Sequence, residues 1–547
     1  SKHVCFCIND WSTHHSRCVS LLMTTLLDFV SYSDWVLHTL IWMPILGIIP
    51  VLWADEQRVK HVAFWWSAVV FILSLGLWWA FDPTVGGMQM ESATPWIESW
   101  GVSYSLGIDG ISLFMVMLTT FMASISILAS FNYIQDRQRP FYALMLILQA
   151  SVVGVFLATD LFLFYVFFEL TLVPMYFIIG IWGGARRIYA AIKFFLYTAL
   201  GSLLMLVGIL YLVYRAKMFI GAPTFAYSDL LQVPLSGTEQ LWLFGAFALA
   251  FSVKVPVFPF HTWLPDAHVE APTPGSVILA AVLLKMGTYG FLRFLLPLFP
   301  IAAQHPVVVT TMLVLAVIGI IYTACVAAVQ SDAKKLVAYT SVAHMGFVVL
   351  GIFALNLNGL QGGLIVMISH GISTGALFLL LGMLYERRHT REIQEFGGIA
   401  RVAPWFATAF VITALASIGV PGTSGFIGEF LALLGAFETH KVLTLVATLG
   451  VIFAAYYMLP MVQRVFFNPL DKQENREIED LSKRELAILA PLCALMIWIG
   501  WNPTPLLNRM EPSVQVVLER LDEAILEDQA RVGDEVNEPQ VVDGGQE

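Results

Sequence analysis

Charge is scarce in this 547-residue sequence. Asp, Glu, Lys and Arg make up 12% of it, about half the ~25% of an ordinary soluble chain. That excludes a sizeable water-soluble domain. No G-x-G-x-x-G, Walker, CxxC or haem-attachment pattern occurs, so the chain is expected to hold no nucleotide or redox cofactor of its own. No basic stretch suggests nucleic acid. Only five cysteines occur. Cys325 and Cys493 lie in apolar runs, where a lone thiol behaves as a small hydrophobe. Cys5, Cys7 and Cys18 stand near His3, His14 and His15 without a zinc-finger spacing, and His261, Asp266 and His268 match no standard ligand set either. No metal site is expected. A signal-peptide cleavage pattern is also missing, which leaves the first apolar helices as the targeting signal.

What fills the chain instead is apolar sequence, 58% of all residues. It comes in runs of roughly 18–25 residues, each long enough to cross a ~30 Å hydrocarbon core as a helix. The expected fold is an all-α polytopic membrane protein of about fourteen spans. The run at 404–437 is too long for one straight crossing and carries GVPGTSG at 419–425. The net charge of −10 is a property of the tail, because residues 511–547 hold eleven acids and two arginines. Lys and Arg crowd the loops after odd-numbered spans, which places those loops in the cytoplasm and both termini outside. In the tail, Val514, Val517, Leu518, Leu521 and Ile525 fall at helical spacing, predicting a surface helix followed by disorder from about 530. The chain divides into an extension at 1–34, three spans over 35–131, a five-helix unit over 141–296, a second over 306–468, a loop and last span over 469–505, and an acidic tail over 506–547. Met23 stands just before the first span.

The two five-helix units are inferred from internal similarity. GSLLMLVGILY at 201–211 matches GALFLLLGMLY at 375–385, ALAFSVKVP at 248–256 resembles ALASIGVP at 414–421, and Asp160 and Asp332 close comparable short turns. The offsets agree to within a few residues. Five is odd, so spans 4–8 and 9–13 are expected as inverted copies, with spans 7 and 12 broken near mid-membrane as in many ion-coupled transporters.

Ionisable side chains inside the spans carry the functional reading, because a charge at the bilayer centre costs about 2.5–3.5 kcal/mol. They are Glu169 in span 5, Lys254 and His261 around the break in span 7, Lys285 in span 8, His344 in span 10, His370 in span 11 and Glu429 after the break in span 12. Pro256 and Pro259 break span 7, and Pro421 with Gly422 breaks span 12. Proline donates no backbone hydrogen bond, and backbone left open at that depth survives only beside protein or water. A carboxylate stabilises a buried ammonium, so moving Glu169 relative to Lys254 switches the lysine between holding and releasing a proton. Two acids, two lysines and three histidines in one region suit proton hopping. Lys193 is expected to snorkel to the cytoplasmic surface, and Asp109 in GIDG to cap a helix.

The stretch KVPVFPFHTWLPDAHVEAPTPGSVILAAVLLKMGTYGFLR at 254–293 resembles the signature of the antiporter-like subunits of respiratory complex I, NADH:quinone oxidoreductase. That superfamily also includes subunits of multi-subunit Na+/H+ antiporters and membrane-bound hydrogenases, which are the alternative readings. The similarity spans roughly residues 35–505. Glu429 in SGFIGEF, where most members have lysine, and DLSKRELAILAPL at 480–492 point to the quinone-oxidoreductase branch. The resemblance implies a proton-translocating membrane-arm subunit in a bacterial inner membrane. It implies that Glu169 tunes Lys254, His261 and Lys285 pass the proton inward, His344 and His370 bridge the halves, and Glu429 is the terminal carboxylate. NADH, FMN, iron–sulfur clusters and quinone then belong to partner subunits, and two further antiporter-like subunits are expected beside this one.

Overall fold

Apolar runs leave the backbone no water to bond with, so helices that satisfy their own N–H and C=O groups dominate. The computed structural model describes residues 23–537, with side chains to 527; the cysteines and histidines of residues 1–22 lie outside the described residues. Among the described residues, twelve helices are long and apolar enough to cross a membrane. In chain order these are α1 (Tyr32–Trp53), α2 (Val59–Ala80), α3 (Leu113–Tyr133), α4 (Gln138–Leu157), α5 (Leu161–Trp182) and α6 (Arg187–Ile220), then α8 (Thr273–Leu298), α9 (Pro306–Ala328), α10 (Ala333–Ile352), α11 (Leu357–Arg388), α13 (Lys441–Phe467) and α14 (Lys483–Trp501). The two remaining expected spans are interrupted helix pairs. The first is α7a (Gly237–Lys254) with α7b (Trp263–Glu270), and the second α12a (Pro404–Ile418) with α12b (Ser424–Thr439). A last helix, α15 (Thr504–Asn537), follows α14. It continues past residue 530, where disorder was expected to begin.

One element has no helical counterpart in the sequence reading. Strands β1 (Gln89–Ile97) and β2 (Val102–Ile108) pair antiparallel between α2 and α3. Gly101 turns the hairpin at φ 73° and leaves no space for a Cβ, which would collide with the Pro223 carbonyl oxygen.

The termini of the helices sort into two faces. On one, the tail face, α15 lies across the ends of the bundle. Ser513 Oγ accepts from Gly110 N at 2.9 Å, Arg520 donates to the Leu231 carbonyl at 2.6 Å, and Gln304 donates to that of Leu521 at 2.7 Å. On the other, the basic face, Arg387 grips both carboxylate oxygens of Glu485 at 2.8 Å. Glu485 and Ser482 form a capping box at the start of α14, and Asp480 accepts from the first backbone N–H groups of α12a. The DLSKRE motif is therefore a clamp that starts two helices.

Asp160 and Asp332 do equivalent work on opposite faces. Each accepts from the second and third backbone N–H groups of the helix it precedes, α5 and α10. Each also sits in an isolated antiparallel bridge, with Ala226 and Glu392. Asp160 adds a contact to the hairpin through Ser103 N at 2.9 Å, whereas Asp332 pairs with Arg391 at 3.2 Å.

Two expectations are corrected. Lys193 does not snorkel freely: it bonds Asp266 at 2.7 Å, and Arg186 stands 3.6 Å from the same carboxylate. Asp109 does accept from Ser112 N at 2.9 Å, but its second oxygen pairs with Arg293 of α8, both side chains being buried.

Candidate functional site

Breaking a helix frees carbonyls, and the structure shows where those of α7a go. Val257 N bonds back to Ser252 O at 2.8 Å, and the indole N–H of Trp263 donates to Val253 O at 2.9 Å. Pro256 and Pro259 thus produce an interruption that the next half-helix closes with its own first residue. In the second pair, Gly419 and Gly422 take φ of 78° and 90°, which favours glycine. A Cβ on Gly419 would lie 2.8 Å from Glu429 Oε2. The break therefore both turns the chain and makes room for the carboxylate, and Pro421 lies between the two glycines.

Four of the seven predicted ionisable residues meet in one line. Lys285, fully buried, lies 2.7 Å from His370 Nδ1 and donates to the Ala280 carbonyl at 2.6 Å. The ring of His370 stands 5.7 Å from that of His344, centroid to centroid. His344 Nδ1 lies 2.9 Å from Glu429 Oε1. A cavity of about 10 Å³, just enough for one water, is lined by His344, His370, Ser369, Ser417 and Glu429. The line joins α8, α11, α10 and α12b. Two of its three steps are direct hydrogen-bond contacts and the third crosses the small cavity between the histidine rings, a spacing suited to side-chain proton transfer. Lys285 stands next to a π-helical turn, Leu279–Leu283, a local widening frequent at functional sites.

The other three are arranged differently. Lys254 is buried in a box of Phe168 and Phe194, with its Nζ 5.0 and 5.8 Å from the ring centroids, and donates to Thr171 Oγ1 at 3.4 Å. Glu169 is half-buried, and its Oε1 has no partner. No contact ion pair joins Glu169 to Lys254 among the described residues; the carboxylate bonds Ser202 and acts on the ammonium across a longer gap, while Thr171, two residues beyond Glu169, accepts from Lys254. No side-chain hydrogen bond links Lys254 to Lys285. The backbones do meet: a Cβ on Gly287 would lie 3.1 Å from Lys254 Cβ. His261 stacks on Phe258 at 5.6 Å and meets the edge of Tyr322 at 5.8 Å, with Nδ1 unpartnered. It is not in hydrogen-bond contact with Lys254 or Lys285.

Sequence reasoning set His268 aside with His261 and Asp266, yet it is fully buried, stacks on Phe378 at 4.6 Å and has neither ring nitrogen paired. It also passed over Lys334. That lysine is buried at the start of α10 and donates to Ala271 O at 2.6 Å, a carbonyl left open where α7b ends. Lys334 and Glu270 line a cavity of about 230 Å³ at the basic face. The signal for Lys334 was faint, because a lysine two residues after a helix-capping aspartate reads as surface.

Comparison with known sequences and folds now bears on this arrangement. The family described as NADH:quinone oxidoreductase/Mrp antiporter, TM, matches residues 158–454, and that described as NADH-ubiquinone oxidoreductase chain 4, amino terminus, matches 36–155. NADH-quinone oxidoreductase subunit M of Rhodobacter capsulatus is 48% identical over 468 residues, covering 84% of this chain and 90% of the relative. The chain belongs to the subunit M family. NADH-ubiquinone oxidoreductase chain 4 of Chondrus crispus is 43% identical over 482 residues, covering 87% of this chain and 96% of the relative. Among solved structures, a chain of respiratory complex I from Thermus thermophilus with bound NADH superposes with a TM-score of 0.81 at 32% identity, covering 89% of this chain and 99% of its own. A chain of the Mrp complex of Dietzia sp. gives 0.76 at 20% identity, covering 93% and 57%, which is a likeness of fold.

Proposed function

We propose that this chain is a proton-translocating membrane-arm subunit of NADH:quinone oxidoreductase, with electron transfer confined to partner subunits. The observation that carries the reading is the contact line Lys285–His370–His344–Glu429, which runs through the buried centre to a broken helix. The 48% identity to a subunit M over nine-tenths of its length favours it over a stand-alone Na+/H+ antiporter, for which only the fold is alike.

Quinone reduction elsewhere alters a neighbouring subunit, and the half-buried Glu169 is the group such a neighbour reaches. When Glu169 approaches, Lys254 is stabilised as the ammonium; when it withdraws, the proton leaves. Protons then pass through water to Lys285 and along the line to Glu429. At ~150 mV the electrical work is about 3.5 kcal/mol per proton, within what rearranging a close ion pair at low dielectric supplies. The basic face is cytoplasmic by the cation distribution, which makes the tail face the outside of a bacterial inner membrane. The inverted-repeat reading is supported by the equivalent roles of Asp160 and Asp332 on opposite faces. The cofactors NADH, FMN, iron–sulfur clusters and quinone, and two further antiporter-like subunits, belong to the surrounding assembly.

The test is proton translocation in inverted membrane vesicles. Glu169→Gln and Lys254→Ala are each expected to abolish translocation and to reduce quinone-linked NADH oxidation strongly. A normal ratio of protons to electrons in either variant would overturn the proposal.

A further inference from the structure

Away from the charged line, α2, α3, α11 and α14 enclose an apolar cleft of about 480 Å³. Its walls include Phe71, Phe121, Pro491 and Leu495. Its floor is Leu118 with Ile368 and Ile372, the last two flanking His370 on α11. Helix α11 is pressed onto this floor, since a Cβ on Gly371 would lie 2.7 Å from Leu118 Cδ2. At the tail face the cleft ends between Trp78 and Trp498, whose rings stand 6.4 Å apart, centroid to centroid. Arg509 of α15 lies over Trp78 at 3.9 Å. Its terminal nitrogens donate to the carbonyls of Pro505 at 3.0 Å and Trp78 at 3.4 Å, while its buried Nε–H has no partner.

An apolar slot, a tryptophan pair at its mouth and a half-buried cation stacked on one of those tryptophans match the three zones of one phospholipid. Tryptophan gathers at the headgroup level of a bilayer, and a guanidinium N–H is suited to a phosphate oxygen. We propose that this cleft binds a single phospholipid, its acyl chain lying behind the His370 segment of α11 and its phosphate on Arg509. A helix from a partner protein, about 10–12 Å across with its side chains, would lodge only roughly one turn in a space of this size.

The test uses the assembled complex in vesicles and a phosphatidylglycerol carrying a photoreactive acyl chain. Labelling is expected to concentrate on peptides containing residues 114–121 and 491–499 and to be displaced by unlabelled phosphatidylglycerol. Ala494→Trp fills the cleft from its exposed side and is expected to cut this labelling at least tenfold. Arg509→Gln is expected to reduce it severalfold. A photoreactive diacylglycerol, which lacks the phosphate, should label wild-type protein severalfold less, so the headgroup arm stands even where Arg509→Gln fails to assemble. Even labelling of all lipid-facing helices, labelling unchanged by Ala494→Trp, or disulfide capture of a partner chain by Ala494→Cys would overturn the proposal.

Discussion

Glu429 holds its place through one charge-assisted contact to His344 and a glycine that leaves it room. Hydrogen bonds to a charged group contribute about 1.5–3 kcal/mol, so Glu429→Gln is expected to slow translocation by at least tenfold while leaving assembly intact. Glu429→Asp keeps the charge but shortens the reach, and an intermediate rate should result; vesicle acidification measures both. Thr171 makes a similar point for Lys254. Thr171→Val removes the hydroxyl 3.4 Å from the ammonium and preserves the side chain's volume. If Thr171 holds the lysine when Glu169 is away, this variant loses turnover severalfold without losing the complex. Turnover at the wild-type level would assign Thr171 a packing role only.

At the level of elements, the breaks are built structures rather than gaps. Trp263 closes α7a from the far side of its break, so Trp263→Phe leaves the Val253 carbonyl buried and unbonded, a cost of about 1–3 kcal/mol. Gly419→Ala combines a left-handed backbone, costing roughly 1–2 kcal/mol for a residue with a Cβ, with a contact on Glu429. The first variant is expected to lower the thermal stability of the purified complex, and the second to lower both stability and translocation. Equal melting temperatures in all three proteins would refute these roles. The buried pair of Asp109 and Arg293 ties α8 to the start of α3. Removing one partner strands the other charge, at about 3–5 kcal/mol. Asp109→Asn is therefore expected to destabilise more than the double replacement Asp109→Leu with Arg293→Met.

Over the whole molecule, α15 is a strap. It touches the loop before α3 through Ser513, α2 through Arg509, the segment after α6 through Arg520 and the loop after α8 through Leu521. Ending the chain at residue 501 removes all four attachments, and little assembled complex is expected on native gels. Ending it at 527 removes none of them and should leave assembly near wild type. Equal yields from both would show that the strap is dispensable.

The order of residues alone places the chain in a membrane, locates the breaks in its helices and marks which side chains are ionisable within them. Those properties follow from local rules, namely the length of apolar runs, the missing N–H of proline and the cost of a charge in hydrocarbon. It did not contain the pairing of residues about 85 positions apart, such as Lys285 with His370 and His344 with Glu429. Nor did it show that Lys193 faces Asp266, that Arg293 finds Asp109, or that Thr171 accepts from Lys254. The hairpin of β1 and β2 was equally invisible, because its strands are largely half-exposed and are anchored by residues distant in sequence, Asp160 and Phe225. Which polar groups meet depends on how helices distant in sequence rotate against each other, and that rotation is fixed by packing across the whole bundle.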